Sequence, residues 1–288
     1  MPATIPVARQ HLIDDIARQA RRRRRPAPPL PLAEFVQAYY RGVGEDDLAF
    51  REPAAFAAAA AAHLAFGRVR RAGQPLVRVF NPDDAEHGWH SPCTIVEVVT
   101  DDMPFLVDSL AMVLNDAGLS VQLMVHPVLR VSRDGRGRLL RLEPADGERG
   151  LAESWQHLAV PRIRAAAELE QIRARILRTL EDVRLAVGDW AAMRDKARRL
   201  AREVVAGVPA IRRQEELEAG EFLEWLADNH VPFLGYRENR LERGRSADRL
   251  VPVPRSGLGL LRSGAGRPTP RRTELTGELR RKAREAAL

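Results

Sequence analysis

The sequence predicts an α+β fold that is organised around one β-α-β stretch, Ser91–Asp134. Thr94–Thr100 is β-branched at six of its seven positions, which is typical of a strand. In Phe105–Asn115 the apolar residues recur at helical spacing, and Gly118 follows where such a helix would end. Leu119–Val125 alternates apolar and polar residues, which predicts a second strand with one buried face.

The elements before this stretch are mainly helical. His11–Arg22 is a short helical candidate, and Leu32–Arg41 places its apolar residues on one side of a second helix. An Ala-rich helix is predicted to run to Phe66, with Pro53 in its first turn. Gln74–Asn81 then reads as a strand, because apolar residues surround a single arginine.

The elements after the stretch begin with a hairpin at Asp134-Gly135, which returns as a strand at Leu139–Leu142. Glu153–Ile163 predicts a further strand, placed at a sheet edge because Pro161 has no amide hydrogen to donate. Three helical segments and a return to strand character at His230–Leu241 follow. Because no closing element follows Arg262, we expect the protein to continue beyond this segment.

These elements predict six parts of the chain, of which one is a central sheet domain and the other five flank it. They are a mobile Arg/Pro-rich arm (1–31), an N-terminal helical segment (32–73), the central domain (74–190), a helical connector (191–229), the start of a second α+β module (230–262) and a basic, disordered tail (263–288).

Composition limits the classes of protein that the chain can represent. Its 288 residues are enough for two domains and a sizeable core. No run of about 18 apolar residues is present, so we expect no membrane partner. The N-terminus lacks a secretory pattern, and a single cysteine, Cys93, excludes an intrachain disulfide. These observations predict a cytoplasmic protein.

The net charge of +7 raises the question of a nucleic-acid partner. The excess is concentrated in Arg21–Arg25 and in the tail from Arg267, and the remainder is close to neutral. Nearly every basic residue is arginine, and no basic patch is interleaved with aromatic residues. We therefore expect no nucleic-acid partner.

Three motifs resemble chemical sites only weakly. Gly257–Arg262 begins like a dinucleotide fingerprint, but the third glycine is replaced by Arg262, so we interpret it as a loop. His87, His90 and Cys93 have the spacing of zinc ligands, but no fourth ligand is near and Cys93 begins a strand. His157 alternates with Glu153 and Trp155 on one strand face without an evident catalytic partner. The residues therefore assign no catalytic group, no cofactor-binding residue and no metal ligand.

The acidic turn, Asp101–Asp108, is the best candidate site. Asp101, Asp102 and Asp108 surround the predicted start of a helix, where backbone amides and a carboxylate together suit a small zwitterion such as an amino acid. The alternative is that Asp101 or Asp102 only caps the helix. Pro104 and Phe105 complete the candidate effector site.

The segments that carry a family resemblance are Phe80–Val131 (with TDDMPFLVDS at its centre), ESWQHLAVPRI, Phe222–Glu238 and Ser256–Arg262. Together they resemble the N-terminal region of the large bacterial NAD-dependent glutamate dehydrogenases, over roughly residues 32–262. The resemblance implies ACT-like modules, which are regulatory βαββαβ domains of the ferredoxin-like type, ahead of a distant catalytic domain.

The resemblance also implies a function for the parent enzyme, which oxidises L-glutamate to 2-oxoglutarate and ammonia with NAD and forms homo-oligomers. This chain would then be a regulatory and assembly segment without a cofactor of its own. Its partners would be copies of itself, the missing catalytic domain and an amino-acid effector. In ligand-binding ACT domains a glycine usually follows the proline of the first turn. Here Phe105 stands there, so its ring is expected to fill the ligand pocket and to favour packing between subunits.

Overall fold

The fold is described from a computed structural model, which describes residues 7–23, 30–49, 51–206, 213–245, 247–263 and 271–286. The chain divides into two compact units, residues 1–180 and 181–288. The first unit contains one antiparallel sheet with helices, and the second contains helices and short strands. Both units are therefore α+β, as the sequence predicts.

Unit 1 begins with four helices whose apolar residues form much of its core. They are α1 (Val7–Arg22), α2 (Leu32–Tyr39), α3 (Glu45–Ala49) and α4 (Pro53–Phe66). Ile13 and Ile16 of α1 are fully buried, and α1 packs against α2, α3 and α4. The prediction of a mobile arm over 1–31 is therefore wrong for α1, because its amphipathic face completes this helical layer. Residues 24–29, which hold most of the Pro-rich stretch, lie outside the described residues.

The remaining elements of unit 1 build the sheet. They are β1 (Leu76–Phe80), α5 (Asp84–His87), β2 (Thr94–Asp101), α6 (Leu106–Asp116), β3 (Leu123–Val125), β4 (Val128–Arg133), β5 (Leu139–Leu142), β6 (Leu151–Val160) and α7 (Ala166–Gly188), which crosses into unit 2. The strand order is β1-β2-β6-β4-β5, with β3 also paired to β6, and all pairings are antiparallel. The edge beside β2 is thus occupied by β1, which precedes it in the chain.

The two central strands are covered on both faces. On one face Ile95 and Val99 of β2 join the core that the N-terminal helices contribute, whereas Val96 and Val98 are buried on the other face. Double burial explains why the strand reads as an almost unbroken β-branched run rather than as an apolar–polar alternation.

The position of β6 corrects the sequence prediction. We expected an edge strand, but β6 lies between β2 and β4 and is buried from Glu153 to Val160. The strand ends before Pro161, so the missing amide hydrogen costs no pairing. β3 is also shorter than predicted, since only Leu123–Val125 of the segment pairs with β6.

Unit 2 contains the helices and short strands that follow α7. They are α8 (Trp190–Ala206), α9 (Arg213–Trp225), a π-helical turn (Leu226–His230), β7 (Gly235–Tyr236), β8 (Asn239–Glu242), β9 (Asp248–Pro252), β10 (Leu258–Gly259), β11 (Thr273–Leu275) and α10 (Gly277–Ala286). α8 packs against α9, and β8, β9 and β11 form a three-stranded antiparallel sheet. The prediction of a disordered tail is therefore wrong for residues 273–286, because β11 pairs with β9. Residues 264–270 of that tail lie outside the described residues.

Candidate effector turn and buried polar clusters

The acidic turn, Asp101–Asp108, joins the end of β2 to the start of α6. Phe105 is the N-cap of α6 and has φ +70° and ψ 5°, the left-handed conformation that favours glycine. The backbone therefore has a conformation that glycine adopts more readily than phenylalanine does. Its side chain is 51% exposed, so the expectation that the ring fills a pocket is wrong.

The carboxylate of Asp101 is half-buried and accepts two hydrogen bonds from other parts of the chain. Its Oδ1 accepts a hydrogen bond of 2.6 Å from Arg70, and its Oδ2 accepts one of 2.7 Å from the backbone amide of Gly73. The carboxylate thus ties the end of β2 to the loop before β1. We infer a structural role for Asp101 rather than direct contact with an effector.

The other acidic residues of the turn, Asp102 and Asp108, are exposed, as is Pro104. Desolvation of the Asp102 carboxyl within the turn raises its pKa above the ordinary value. Among the described residues no side chain caps the start of α6, so the prediction that Asp101 or Asp102 is the cap is wrong. The end of α6 is as predicted, because Gly118 adopts φ +73° there.

Behind the turn lies an arginine network, which we define as Arg70, Arg133, Glu153 and Asp101. Glu153 is fully buried and accepts hydrogen bonds of 2.6 to 3.0 Å from both guanidinium groups. It also accepts a bond of 3.2 Å from the indole of Trp155. Two cations thus share one buried carboxylate, and Asp101 supplies the second negative charge at the protein surface.

A second buried group, the His–Glu cluster, is defined as His63, Glu97 and His157. Glu97 and His157 are directly opposite on β2 and β6, and the Nδ1 of His157 donates to the Glu97 Oε1 at 3.0 Å. The sequence alone gives His157 no evident partner. The feature of the sequence that could have indicated the partner is Glu97, the one charged residue in the β-branched run of β2.

Arg78 and Tyr39 surround the His–Glu cluster. Arg78 donates to the Glu97 Oε2 at 2.6 Å, and the hydroxyl of Tyr39 lies 2.7 Å from the Nδ1 of His63. Burial disfavours the Glu97 carboxylate, but the positive charge of His63 when it is protonated, the hydrogen bond from His157 and the charge of Arg78 outweigh this and lower its pKa to about 2. Burial lowers the pKa of His63 to about 3, so this imidazole is neutral at physiological pH.

The candidate zinc spacing does not assemble in the fold. His87 pairs with Asp83 at 3.4 Å and lies near Glu86. Cys93 is buried, and its thiol donates to the side-chain oxygen of Gln122 at 3.1 Å. His90 is exposed and does not join His87 and Cys93 in a ligand cluster within the described residues.

The Gly257–Arg262 segment folds around an acidic side chain of its own unit. Asp189 accepts hydrogen bonds from the amide of Gly259 at 2.7 Å and from the Nε of Arg262 at 3.0 Å. Burial disfavours this carboxylate, but these bonds outweigh the effect and lower its pKa. Because a phosphate would compete with Asp189 for the same donors, the loop interpretation of this segment agrees with the geometry.

Unit 1 thus combines an antiparallel sheet with helices around a central strand–turn–helix. Residues 35–176 match the family described as "Glutamate dehydrogenase, ACT1 domain" and belong to it. In the described part of the chain, no helix is long and apolar enough to cross a bilayer.

The chain is homologous to NAD-specific glutamate dehydrogenases over a small part of their length. It is 38% identical to the protein of Halomonas elongata over 79% of this chain and 14% of that protein. It is 40% identical to the protein of Pseudomonas aeruginosa over 66% of this chain and 12% of that protein. The identity to the Mycobacterium tuberculosis protein is 33%, over 74% and 13% respectively.

Proposed function

We propose that this chain is the N-terminal regulatory and assembly segment of a cytoplasmic NAD-dependent glutamate dehydrogenase and is not catalytic by itself. The observation that carries the proposal is the match of residues 35–176 to the ACT1 domain, together with identities of 33% to 40% to NAD-specific enzymes. The parent reaction would convert L-glutamate to 2-oxoglutarate and ammonia with NAD.

The contacts and exposure of the residues in the acidic turn support a role in assembly more than the binding of an effector at the turn. Asp101 already has partners within the protein, whereas Phe105 and Met112 are 51% and 65% exposed. A bulky residue held at positive φ is a strained feature that proteins keep where it has a use. Exposed apolar residues at the start and in the middle of α6 suit packing against another copy of the chain or against the rest of the enzyme.

The first experiment measures NADH formation from glutamate and NAD by the purified chain and by the parent enzyme. We expect no turnover from the chain alone, and glutamate-dependent turnover by the chain alone would contradict the proposal.

A second measurement compares self-association by sedimentation for the wild type, for the double variant Phe105→Ser with Met112→Ser, and for Leu140→Ser. Leu140, 55% exposed on β5, is the matched control. Loss of association only in the first variant supports the assembly role, and equal association in all three contradicts it.

A second candidate function is a free-standing amino-acid sensor. A groove of about 420 Å³ beside α2 is lined by Glu34, Arg41 and Arg130, among other residues. Its opposite charges suit the ammonium and carboxylate of a free amino acid. Calorimetry with Glu, Asp, Arg and Gln tests this function, with Arg41→Gln as the variant expected to weaken binding. Coding sequence that continues beyond Leu288 into a GxGxxG-containing domain would exclude the free-standing form.

A further inference from the structure

The His–Glu cluster has the composition of a metal site, although the spacing of its residues in the chain gives no sign of it. His63 comes from α4, Glu97 from β2 and His157 from β6. One ligand atom from each residue lies within 4.8 Å of the other two, and all three side chains are buried. Two imidazoles and one carboxylate are a ligand set that divalent zinc and related metals use in proteins.

The second observation is an unsatisfied nitrogen. The Nε2 of His63 is buried and has no hydrogen-bond partner among the residues that the structure describes. Leaving such a polar atom without a partner costs about 1–3 kcal/mol, and buried polar atoms are rarely left so. A metal ion would satisfy the nitrogen, as would a buried water molecule.

The contact between His63 and Tyr39 favours coordination. When the Nδ1 of His63 donates its hydrogen to the Tyr39 oxygen, the Nε2 carries the lone pair that a metal would bind. A hydrogen bond from the non-ligating nitrogen of this kind orients a metal-binding imidazole. The Nδ1 of His157 can bind a metal only in the tautomer that carries the ring proton on Nε2.

Arg78 sets a limit on affinity. Its guanidinium holds the Glu97 Oε2 at 2.6 Å, which leaves Oε1 for a metal but places a positive charge beside the cation. Three protein ligands also leave one coordination position open. We therefore expect weaker binding than at a closed four-ligand zinc site.

We propose that His63, Glu97 and His157 form a buried binding site for a divalent transition-metal ion of the zinc type. The site links the N-terminal helical layer to the two central strands of the sheet. A bound ion would therefore stabilise the folded state of unit 1, because the unfolded chain does not bring these residues together.

The test uses the full 288-residue chain, freed of metal with a chelator and titrated with Zn²⁺ or Co²⁺. We expect one Co²⁺ per chain with visible d–d absorption. Zinc at about 100 times its dissociation constant should raise the ratio of folded to unfolded chain about 100-fold. Wild-type chain that binds neither metal would overturn the proposal.

Variants separate the buried cluster from a surface group. His63→Gln should abolish the Co²⁺ spectrum, and Tyr39→Phe should weaken affinity by about 10–100-fold while keeping the ring in place. His87→Gln is the control, because His87, Asp83 and Glu86 form the other candidate group among the described residues. Loss of binding in His87→Gln with retention in Tyr39→Phe and His63→Gln would overturn the proposal. If His63→Gln does not fold, the contrast between Tyr39→Phe and His87→Gln decides.

Discussion

Replacing Glu153 by Gln should remove a substantial part of the stability of unit 1. The change keeps the shape of the side chain but removes the negative charge that Arg70 and Arg133 share, and their side chains are 0% and 3% exposed. It also places amide hydrogens against guanidinium hydrogens, so at least one of the hydrogen bonds at that position is lost. Breaking a buried ion pair from one side costs about 3–5 kcal/mol. Typical domains have only about 5–15 kcal/mol of stability.

Urea unfolding followed by near-ultraviolet circular dichroism measures this loss, since Trp155 is buried and bonds to Glu153. The matched control is Glu170→Gln on α7, where Glu170 pairs with Arg173 but their side chains are 62% and 39% exposed. An exposed pair of this kind contributes about 0–1 kcal/mol. If Glu153→Gln lowers the free energy of unfolding by no more than the control does, the reasoning about the arginine network is refuted.

Three further predictions concern conformation, packing and pH. Phe105→Gly should leave the free energy of unfolding unchanged or raise it by up to about 1 kcal/mol, because relief of the left-handed strain offsets the entropy cost of glycine. A clear decrease in the free energy of unfolding, measured with urea, would contradict this. Gly67→Ala should lower the free energy of unfolding by about 1–3 kcal/mol, because a Cβ there would lie 2.1 Å from the Trp155 ring. Gly42→Ala is the control and should lower it by less than about 0.5 kcal/mol, because no described atom lies within 4 Å of its Cβ. Equal losses in the two variants would refute the prediction. Burial lowers the pKa of His63 from 6.5 to about 3, so between these pH values the unfolded state binds a proton at this residue and the folded state does not. The free energy of unfolding should therefore be unaffected by His63 above pH 6.5 and should fall as the pH falls towards 3, by up to about 1.4 kcal/mol per pH unit. A similar loss of stability in acid in a folded His63→Gln variant would argue against this cause.

Local patterns in the sequence determined the strand–turn–helix at the centre of unit 1. The β-branched run became β2, the helical periodicity became α6, and Gly118 ends that helix in the left-handed conformation. Residues that are close in sequence decide each of these features: side-chain branching favours the pleated strand, and the absence of a Cβ permits positive φ. The same segments carried the family resemblance that the ACT1 match confirms.

Only the tertiary structure decided which strand lies in the middle of the sheet and which polar residues meet. Pro161 suggested an edge, but pairing with both β2 and β4 made β6 central. His63, Glu97 and His157 come together because α4 covers the face of the sheet on which β2 and β6 place an opposite pair. Such contacts depend on strand register and helix packing between residues far apart in the chain, and no local periodicity encodes them.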